Sequence, residues 1–277
     1  MGYSQLFGAS VIIYVLASAS YISYAVFRAQ ALGKTASFLA QLGFLSQTIA
    51  IIWRTVRSYQ LGMGHAPFSN LYESMVFFSW CIVLIYTLFE WKVKNRVFGA
   101  FVIPIASLVA AYTTFLSSEI EPLIPALKSN WLLIHVSVSF LAYGAFALSC
   151  GMSIIYLIKI RQERIGKSRG IGNMLPDSQI LDGYSYKAIA VGFPLLTLGI
   201  LTGAIWAHYA WGSYWSWDPK ETWSLIVWLI YAGFLHARIA GGWRGKRSAV
   251  ISIVGFFGVI FLYLGVNLLL SGLHSYS

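Results

Sequence analysis

Hydrophobic residues along this chain fall into long stretches that short polar segments separate. Eight stretches reach membrane-spanning length, at residues 6–27, 35–53, 71–91, 97–116, 131–158, 188–208, 223–241 and 250–272. A helix needs about 20 mainly apolar residues to cross the hydrocarbon core of a bilayer. The pattern therefore predicts an all-α, polytopic membrane protein with about eight transmembrane helices, which forms a single domain over residues 1–277.

Composition supports this interpretation. Apolar residues make up 58% of the 277 positions and charged residues only 10%, and the mean hydropathy is +0.71. A soluble core cannot absorb so large an apolar fraction, whereas a helical bundle in lipid requires it. In such a protein the net charge of +10 is better explained by membrane topology than by nucleic-acid binding. We therefore expect no nucleic-acid partner.

The positive residues predict an orientation in the membrane. All but four of the 19 Lys and Arg residues lie in the loops that follow the first, third, fifth and seventh stretches. The exceptions are Arg54, Arg57, Lys128 and Lys220. By the positive-inside rule the basic loops are cytoplasmic or stromal, so both termini face the outer side. The longest basic loop, residues 159–187, is predicted to be a flexible cytoplasmic linker.

Residues 206–223, between the sixth and seventh stretches, form an outward loop that is unusually aromatic. Its aromatic positions are Trp206, Tyr209, Trp211, Tyr214, Trp215, Trp217 and Trp223. Concentrated in one loop, these rings predict a flat apolar surface suited to a large planar ligand. Asp218, Pro219 and Glu221 have the spacing of a helix start, so we interpret the two acids as capping residues and not as catalytic acids.

Two histidines are predicted to border this loop. His135 lies near the outer end of the fifth stretch, and His274 directly follows the eighth. Two imidazoles on one side of the membrane, beside a surface of indoles, match what six-coordinate haem iron requires. The alternative is that both are ordinary interfacial histidines. Because the two share one depth beside this loop, we favour ligation.

The remaining histidines and the two cysteines point less clearly to a ligand. His236 lies about 20 Å along the seventh helix, on the cytoplasmic half, and either a second ligand site or a hydrogen bond to a neighbouring helix would account for it. His65 is predicted to be a loop residue and His208 an interfacial one, and neither is assigned a role. Cys81 and Cys150 lie inside apolar stretches, which favours packing over redox chemistry.

Several motifs resemble one family. Residues 211–223, WGSYWSWDPKETW, resemble the "WWD" segment of haem-handling membrane proteins. The ending DPKETW, followed by Trp228 and by LHAR at 235–238, resembles the CcsA/ResC family, the system II component of cytochrome c synthesis. Residues 64–74, 131–135 and 270–276 agree with the same family, so the similarity covers nearly the whole chain.

The resemblance implies a haem site. His135 and His274 match the two outward histidines that hold the iron axially, and His236 matches a membrane-embedded histidine that serves a second, inner haem position. The family's aromatic segment implies contacts to the macrocycle from Trp206, Trp211, Trp215, Trp217 and Trp223. Beyond this haem site no catalytic residue is assigned.

The resemblance also implies a function. Haem b, the substrate, is delivered to the outer face and attached covalently to the Cys-x-x-Cys-His motif of apocytochrome c, which makes the chain a subunit of a haem lyase or synthase. A CcsB/ResB-like membrane subunit is the expected partner, and the bacterial cytoplasmic membrane the expected location, with the thylakoid membrane as the alternative. A non-catalytic haem channel or exporter is the alternative function. A transmembrane b-type electron carrier fits less well, because the chain offers one outward histidine pair and a lone His236.

Overall fold

The computed structural model describes residues 2–64, 66, 68–123, 125–165 and 170–270. Within these residues all regular secondary structure is helical. The long helices are α1 (Tyr3–Phe27), α2 (Gln30–Gln60), α3 (Leu71–Val93), α4 (Gly99–Tyr112), α5 (Asn130–Arg164), α6 (Ser178–Trp211), α7 (Pro219–Ile239) and α8 (Lys246–Leu269). Short 3₁₀ turns flank α4, and a π-helical turn at Phe261–Gly265 interrupts α8.

Length and apolar composition allow eight helical spans in the described residues to cross a membrane, with α4 counted together with its 3₁₀ turns. The prediction of an all-α, polytopic membrane protein is therefore confirmed.

Local capping explains where two helices begin. Asn70 precedes α3, and its side-chain oxygen accepts a hydrogen bond from the Glu73 amide at 2.9 Å. Asp218 precedes α7 and accepts from the Lys220 amide at 3.0 Å, while Glu221 accepts from the Asp218 amide at 3.2 Å. These side chains satisfy N–H groups that the first helical turn leaves without partners. The capping interpretation of Asp218 and Glu221 is thus confirmed.

Two predicted loops are shorter than their apolar boundaries suggest. α5 continues to Arg164 and α6 begins at Ser178, so most of the expected linker over residues 159–187 is helical and only residues 165–177 separate the two helices. Likewise α6 ends at Trp211 and α7 begins at Pro219, which leaves residues 212–218 as the loop within 206–223. The physical reason is that polar side chains continue a helix beyond the lipid, where hydropathy no longer marks it.

The chain divides into two compact units. Unit one comprises residues 1–122 and 158–177, and unit two comprises residues 123–157 and 178–277. The division falls within α5, which contributes to both units. Hydropathy identifies which segments can cross the membrane, but it does not show which helices pack against one another.

In unit one, a buried ion pair links α2, α3 and the segment after α4. Arg54 and Glu73 form an ion pair at 2.7 Å with both side chains almost fully enclosed. The remaining guanidinium nitrogens of Arg54 donate to the carbonyls of Ser118 and Glu119 at 2.6 and 2.8 Å. Pairing and full hydrogen bonding make a buried charge tolerable in an apolar bundle. The pair therefore fixes the segment after α4 to α2 and α3.

In unit two, small residues allow close helix packing. The hydroxyl group of Ser149 on α5 lies 2.8 Å from that of Ser185 on α6 and 2.8 Å from that of Ser252 on α8, so it joins the three helices. Ser149 and Ser252 are fully buried. Short hydroxyl side chains suit such an interface because they let backbones approach and satisfy one another's hydrogen bonds.

The cysteines also lie in these cores. Cys81 is buried in α3 of unit one, and Cys150 is buried in α5 of unit two. Each makes part of an apolar interface, in keeping with the packing role that the sequence predicts for them.

Candidate functional site

The candidate site lies at one end of unit two, where α5 begins, α6 ends, α7 begins and α8 ends. We call this the loop end, because residues 212–218 connect α6 to α7 there. His135 of α5 contacts α6, Trp223 of α7 packs on Phe261 of α8, and Phe140 of α5 packs on Tyr263 of α8, so contacts join all four helices. The aromatic loop and His135 are thus neighbours, as the sequence predicts.

His135 is held by two glycines of α6. Its Nδ1 lies 2.7 Å from the carbonyl oxygen of Gly199. A Cβ atom at Gly203 would come within 2.6 Å of the same nitrogen, so only glycine leaves room for the ring. Since a carbonyl oxygen can only accept a hydrogen bond, Nδ1 must carry the ring proton, and its N–H donates a hydrogen bond to the Gly199 carbonyl. In the neutral ring Nε2 then keeps a lone pair, which is the arrangement that metal-ligating histidines use.

Trp206 supports the other side of this ring. The two rings are stacked, with centroids 6.1 Å apart and planes 16° apart. Trp206 is only 4% exposed, and its indole N–H donates to the carbonyl of Ala126 at 2.9 Å. An edge contact with Trp211 at 4.8 Å continues the cluster towards the loop. Trp206 thus connects His135 both to the loop and to the segment before α5.

The remaining loop tryptophans do not form one flat surface. Trp215 and Trp217 meet edge to face, at 5.7 Å and 89°. Trp223 packs instead on Phe261 of α8, with centroids 4.3 Å apart. The expectation of a continuous plane is therefore corrected: Trp215 and Trp217 adopt the edge-to-face packing that aromatic pairs prefer over a face-to-face stack. Trp217 is the most open of them, with 69% of its surface exposed.

Hydrogen bonds to Glu221 fix the shape of the loop. One carboxylate oxygen of Glu221 accepts from the Ser216 amide at 2.7 Å and from the Asp218 amide at 3.2 Å. Between these two residues, Trp217 has a φ of +59°, in the left-handed region that non-glycine residues seldom occupy. The carboxylate therefore holds a backbone turn that presents the Trp217 indole outward.

The other histidines lie elsewhere or outside the described residues. His236 is exposed in the last turn of α7, about 25 Å along the helix axis from Pro219, so the structure does not bring it to His135. His208 is exposed at the loop end and stacks on Tyr214, with centroids 4.2 Å apart. His274 and His65 lie outside the described residues, so the pairing of His135 with His274 stays a prediction.

Three site residues were missed by reasoning from the sequence. Gly199 and Gly203 hold His135, and their GxxxG spacing within α6 is the signal that marks a close helix approach. For Lys220 the sequence indicates only a place in a helix start. Its ammonium group lies 5.8 Å from the ring centre of Tyr263 on α8, and it interacts electrostatically with His135.

Within the described residues no group of three or more His, Cys, Asp or Glu side chains is placed to hold a metal ion. A metal at His135 would therefore need ligands from outside this set. A macrocycle that already supplies four nitrogens would meet that need with one or two axial imidazoles.

The fold and site define an integral, multi-pass helical membrane protein with an aromatic loop and a metal-competent histidine at one end. Residues 68–274 match the family described as "Cytochrome C assembly protein". A CcsA cytochrome c biogenesis protein from Porphyra purpurea is 44% identical over 80% of this chain and 82% of its own length. The corresponding protein from Gloeobacter violaceus is 37% identical over 100% of this chain and 98% of its own length. The chain belongs to the CcsA family of cytochrome c biogenesis proteins.

A solved structure shares the fold. It is titled "Cytochrome c Heme Lyase CcmF", and the superposition gives a TM-score of 0.68 over 96% of this chain. The chain spans 51% of that solved chain, at 15% sequence identity. At such low identity the likeness concerns the helical architecture alone.

Proposed function

We propose that the chain receives haem as a substrate at its loop end and supports covalent attachment of that haem to apocytochrome c. The observation that carries this proposal is the hydrogen bond from His135 Nδ1 to the Gly199 carbonyl, at 2.7 Å. It directs the ring's other nitrogen to be the ligand, and the tight fit at Gly203 keeps the ring from turning. An incidental interfacial histidine requires no such support.

The proposed haem contacts extend the same cluster. His135 would supply one imidazole to the iron, and His274, which lies outside the described residues, would supply the other, as the family resemblance implies. Trp211, Trp215 and Trp217 contact the macrocycle, and burial of its apolar surface supplies most of the affinity. The high exposure of Trp217 supports this part of the proposal, because an indole held outward against its backbone preference needs a reason.

The proposed chemistry is addition of the apocytochrome's thiols to the two vinyl groups of haem. In each addition a sulfur–carbon bond forms, the S–H bond and the vinyl π bond break, and the thiol proton ends on the other vinyl carbon. No oxidant or reductant is consumed. This chain contributes by positioning the reacting groups, which converts a bimolecular step into a local one. Cys81 and Cys150 take no part, since both are buried within helices.

A CcsB/ResB-like membrane protein is the proposed partner. His236 is exposed in the last turn of α7, about 25 Å along that helix from Pro219 at the loop end. In this proposal the partner supplies the second ligand of an inner haem position there. The bacterial cytoplasmic membrane is the proposed location, with the loop end on its outer side. The thylakoid membrane, with the loop end facing the lumen, is the alternative.

A non-catalytic haem exporter is the second candidate. One observation favours it: the two carboxylates of the loop, Asp218 and Glu221, are bound to backbone N–H groups and act as caps. Neither is therefore available as a general base for thiol activation. An exporter would bind haem at the same site and pass it to a separate lyase.

The test compares His135→Ala with His208→Ala, which removes an exposed imidazole at the same end of unit two. Each full-length variant is co-expressed with the partner subunit and an apocytochrome, and haem absorption and covalently bound haem in the cytochrome are measured. We expect His135→Ala to lower both by at least about tenfold, since even a lost supporting contact of a metal ligand costs that much. His208→Ala keeps both at wild-type levels.

Two outcomes would contradict the proposal in different ways. Normal haem content and normal product in His135→Ala would show that the ligand assignment is wrong. If the wild-type complex binds haem but the purified complex forms no thioether with added apocytochrome, the exporter is the correct function.

A further inference from the structure

A cavity of about 490 Å³ opens at the loop end of unit two, beside the residues already described. The segment before α5 and the last turn of α6 form its walls. Its lining includes Ala126, Lys128, Ser129, Trp131 and Tyr209. The roles proposed above for His135 and the loop tryptophans do not involve this cavity.

The cavity adjoins His135 through two aromatic residues. Trp131 lies four residues before His135 on α5, so the two side chains occupy one face of the helix, about 6 Å apart along its axis. Trp206 stacks on His135, and its indole N–H donates to the carbonyl of Ala126 in the cavity wall. A molecule bound at His135 that extends by one helical turn would therefore reach the cavity.

The chemistry of the lining selects one kind of group. Lys128 supplies a positive charge, Ser129 and Asn130 supply polar hydrogen-bonding groups, and Trp131 and Tyr209 supply flat apolar surface. No carboxylate is among the described lining residues. This combination suits an anionic group carried on the edge of a flat apolar molecule.

We propose that this cavity binds the carboxylate edge of the tetrapyrrole whose metal His135 ligates, with Lys128 as the partner of a propionate group. The inference rests on the haem-binding function proposed above. The two propionates are ionised at neutral pH and cannot be buried against the tryptophans without a large desolvation cost. The cavity is open to solution and carries a lysine, so it accepts them at little cost.

The location of Lys128 makes its contribution measurable but modest. The residue is exposed, and solvent-exposed charge pairs contribute at most about a fivefold change in affinity. The same exposure makes the contribution sensitive to salt. At an ionic strength of about 1 M the screening length falls to about 3 Å, which removes most of the attraction.

The experiment measures the affinity of the full chain for two probes by absorption titration in detergent. One probe is haem, and the other is haem dimethyl ester, which has the same iron and ring but no carboxylate charge. We compare the wild-type protein with Lys128→Gln and with Lys128→Arg. Arg57→Gln, which removes an exposed charge in unit one, controls for general attraction between the protein and an anion.

We expect Lys128→Gln to bind haem measurably more weakly than wild type at low salt, by up to about fivefold. Lys128→Arg and Arg57→Gln retain wild-type affinity. The dimethyl ester binds wild type and Lys128→Gln equally, because the interaction that the mutation removes is already absent from the probe. The difference between wild type and Lys128→Gln for haem disappears at about 1 M salt.

Equal haem affinity of wild type and Lys128→Gln would overturn the inference, as would an equal loss for the dimethyl ester. Either result leaves the proposed function intact, since haem still binds. Failure of the wild-type chain to bind haem, both alone and together with the partner subunit, would instead overturn the proposed function and this inference with it.

Discussion

Gly203→Ala tests whether the position of His135, and not only its presence, matters. The added Cβ would lie 2.6 Å from Nδ1 and 2.7 Å from Cε1 of the ring, closer than any real packing contact. The ring must move, and the 2.7 Å hydrogen bond to the Gly199 carbonyl then lengthens or breaks. Both ring nitrogens survive, but the one that faces the ligand is no longer held in place.

The magnitude follows from two opposing effects. Overpacking of a filled interface costs about 1–3 kcal/mol. Replacement of glycine by alanine within a helix returns about 1 kcal/mol. We therefore expect a net destabilisation of about 1 kcal/mol for Gly203→Ala. Gly233→Ala is the matched control, because a Cβ there meets nothing within 4 Å, and that variant should be slightly stabilised.

The assay combines thermal unfolding of the purified chain in detergent with its haem absorption spectrum. We expect Gly203→Ala to unfold at a lower temperature than Gly233→Ala and to lose low-spin, six-coordinate haem absorption by about tenfold. If Gly203→Ala matches Gly233→Ala in both measurements, the α6 glycines do not position His135. If only stability falls and the spectrum stays unchanged, the ring moves without consequence for ligation and the tautomer argument is refuted.

Three further predictions concern the frame around the site. Glu73→Gln should lower the free energy of unfolding by about 3–5 kcal/mol, because it leaves the buried Arg54 without its counter-charge. The protein level and the thermal midpoint measure this loss, and an unchanged midpoint would contradict it. Asp218→Ala should cost about 1 kcal/mol while Asp218→Asn keeps wild-type stability, because only alanine removes the cap; equal losses would argue for a role of the charge. Trp217→Ala should lower haem retention several-fold without a change in thermal midpoint. Trp91 is also exposed but lies in unit one, so Trp91→Ala should change neither quantity. Normal haem content in Trp217→Ala would argue against an indole contact.

Local patterns in the sequence predict the parts of this protein that local physics decides. Apolar stretches of spanning length locate the helices, since the length is imposed by bilayer thickness and not by neighbours. The spacing of Asp218 and Glu221 alone predicts that they are caps, because capping involves only residues within one turn. The same reasoning overestimates the linker after α5, since polar side chains extend a helix beyond the lipid.

Other features depend on contacts between residues far apart in the chain. The perpendicular packing of Trp215 and Trp217 and the separate packing of Trp223 on Phe261 correct the expected flat surface. The division into two compact units within α5 likewise depends on which helices pack together. Helix positions along the chain carry no information on either arrangement.

The amino-acid sequence by itself determined the class of the protein, its helices and the aromatic loop, because hydropathy, periodicity and caps act over one or two helical turns. It also singled out His135, as an ionisable side chain within an apolar stretch. Only the tertiary structure decided what this ring does: Gly199 and Gly203, more than sixty residues away along the chain, determine its tautomer and its direction. A hydrogen bond between two helices exists only once the helices pack, so no local pattern contains it.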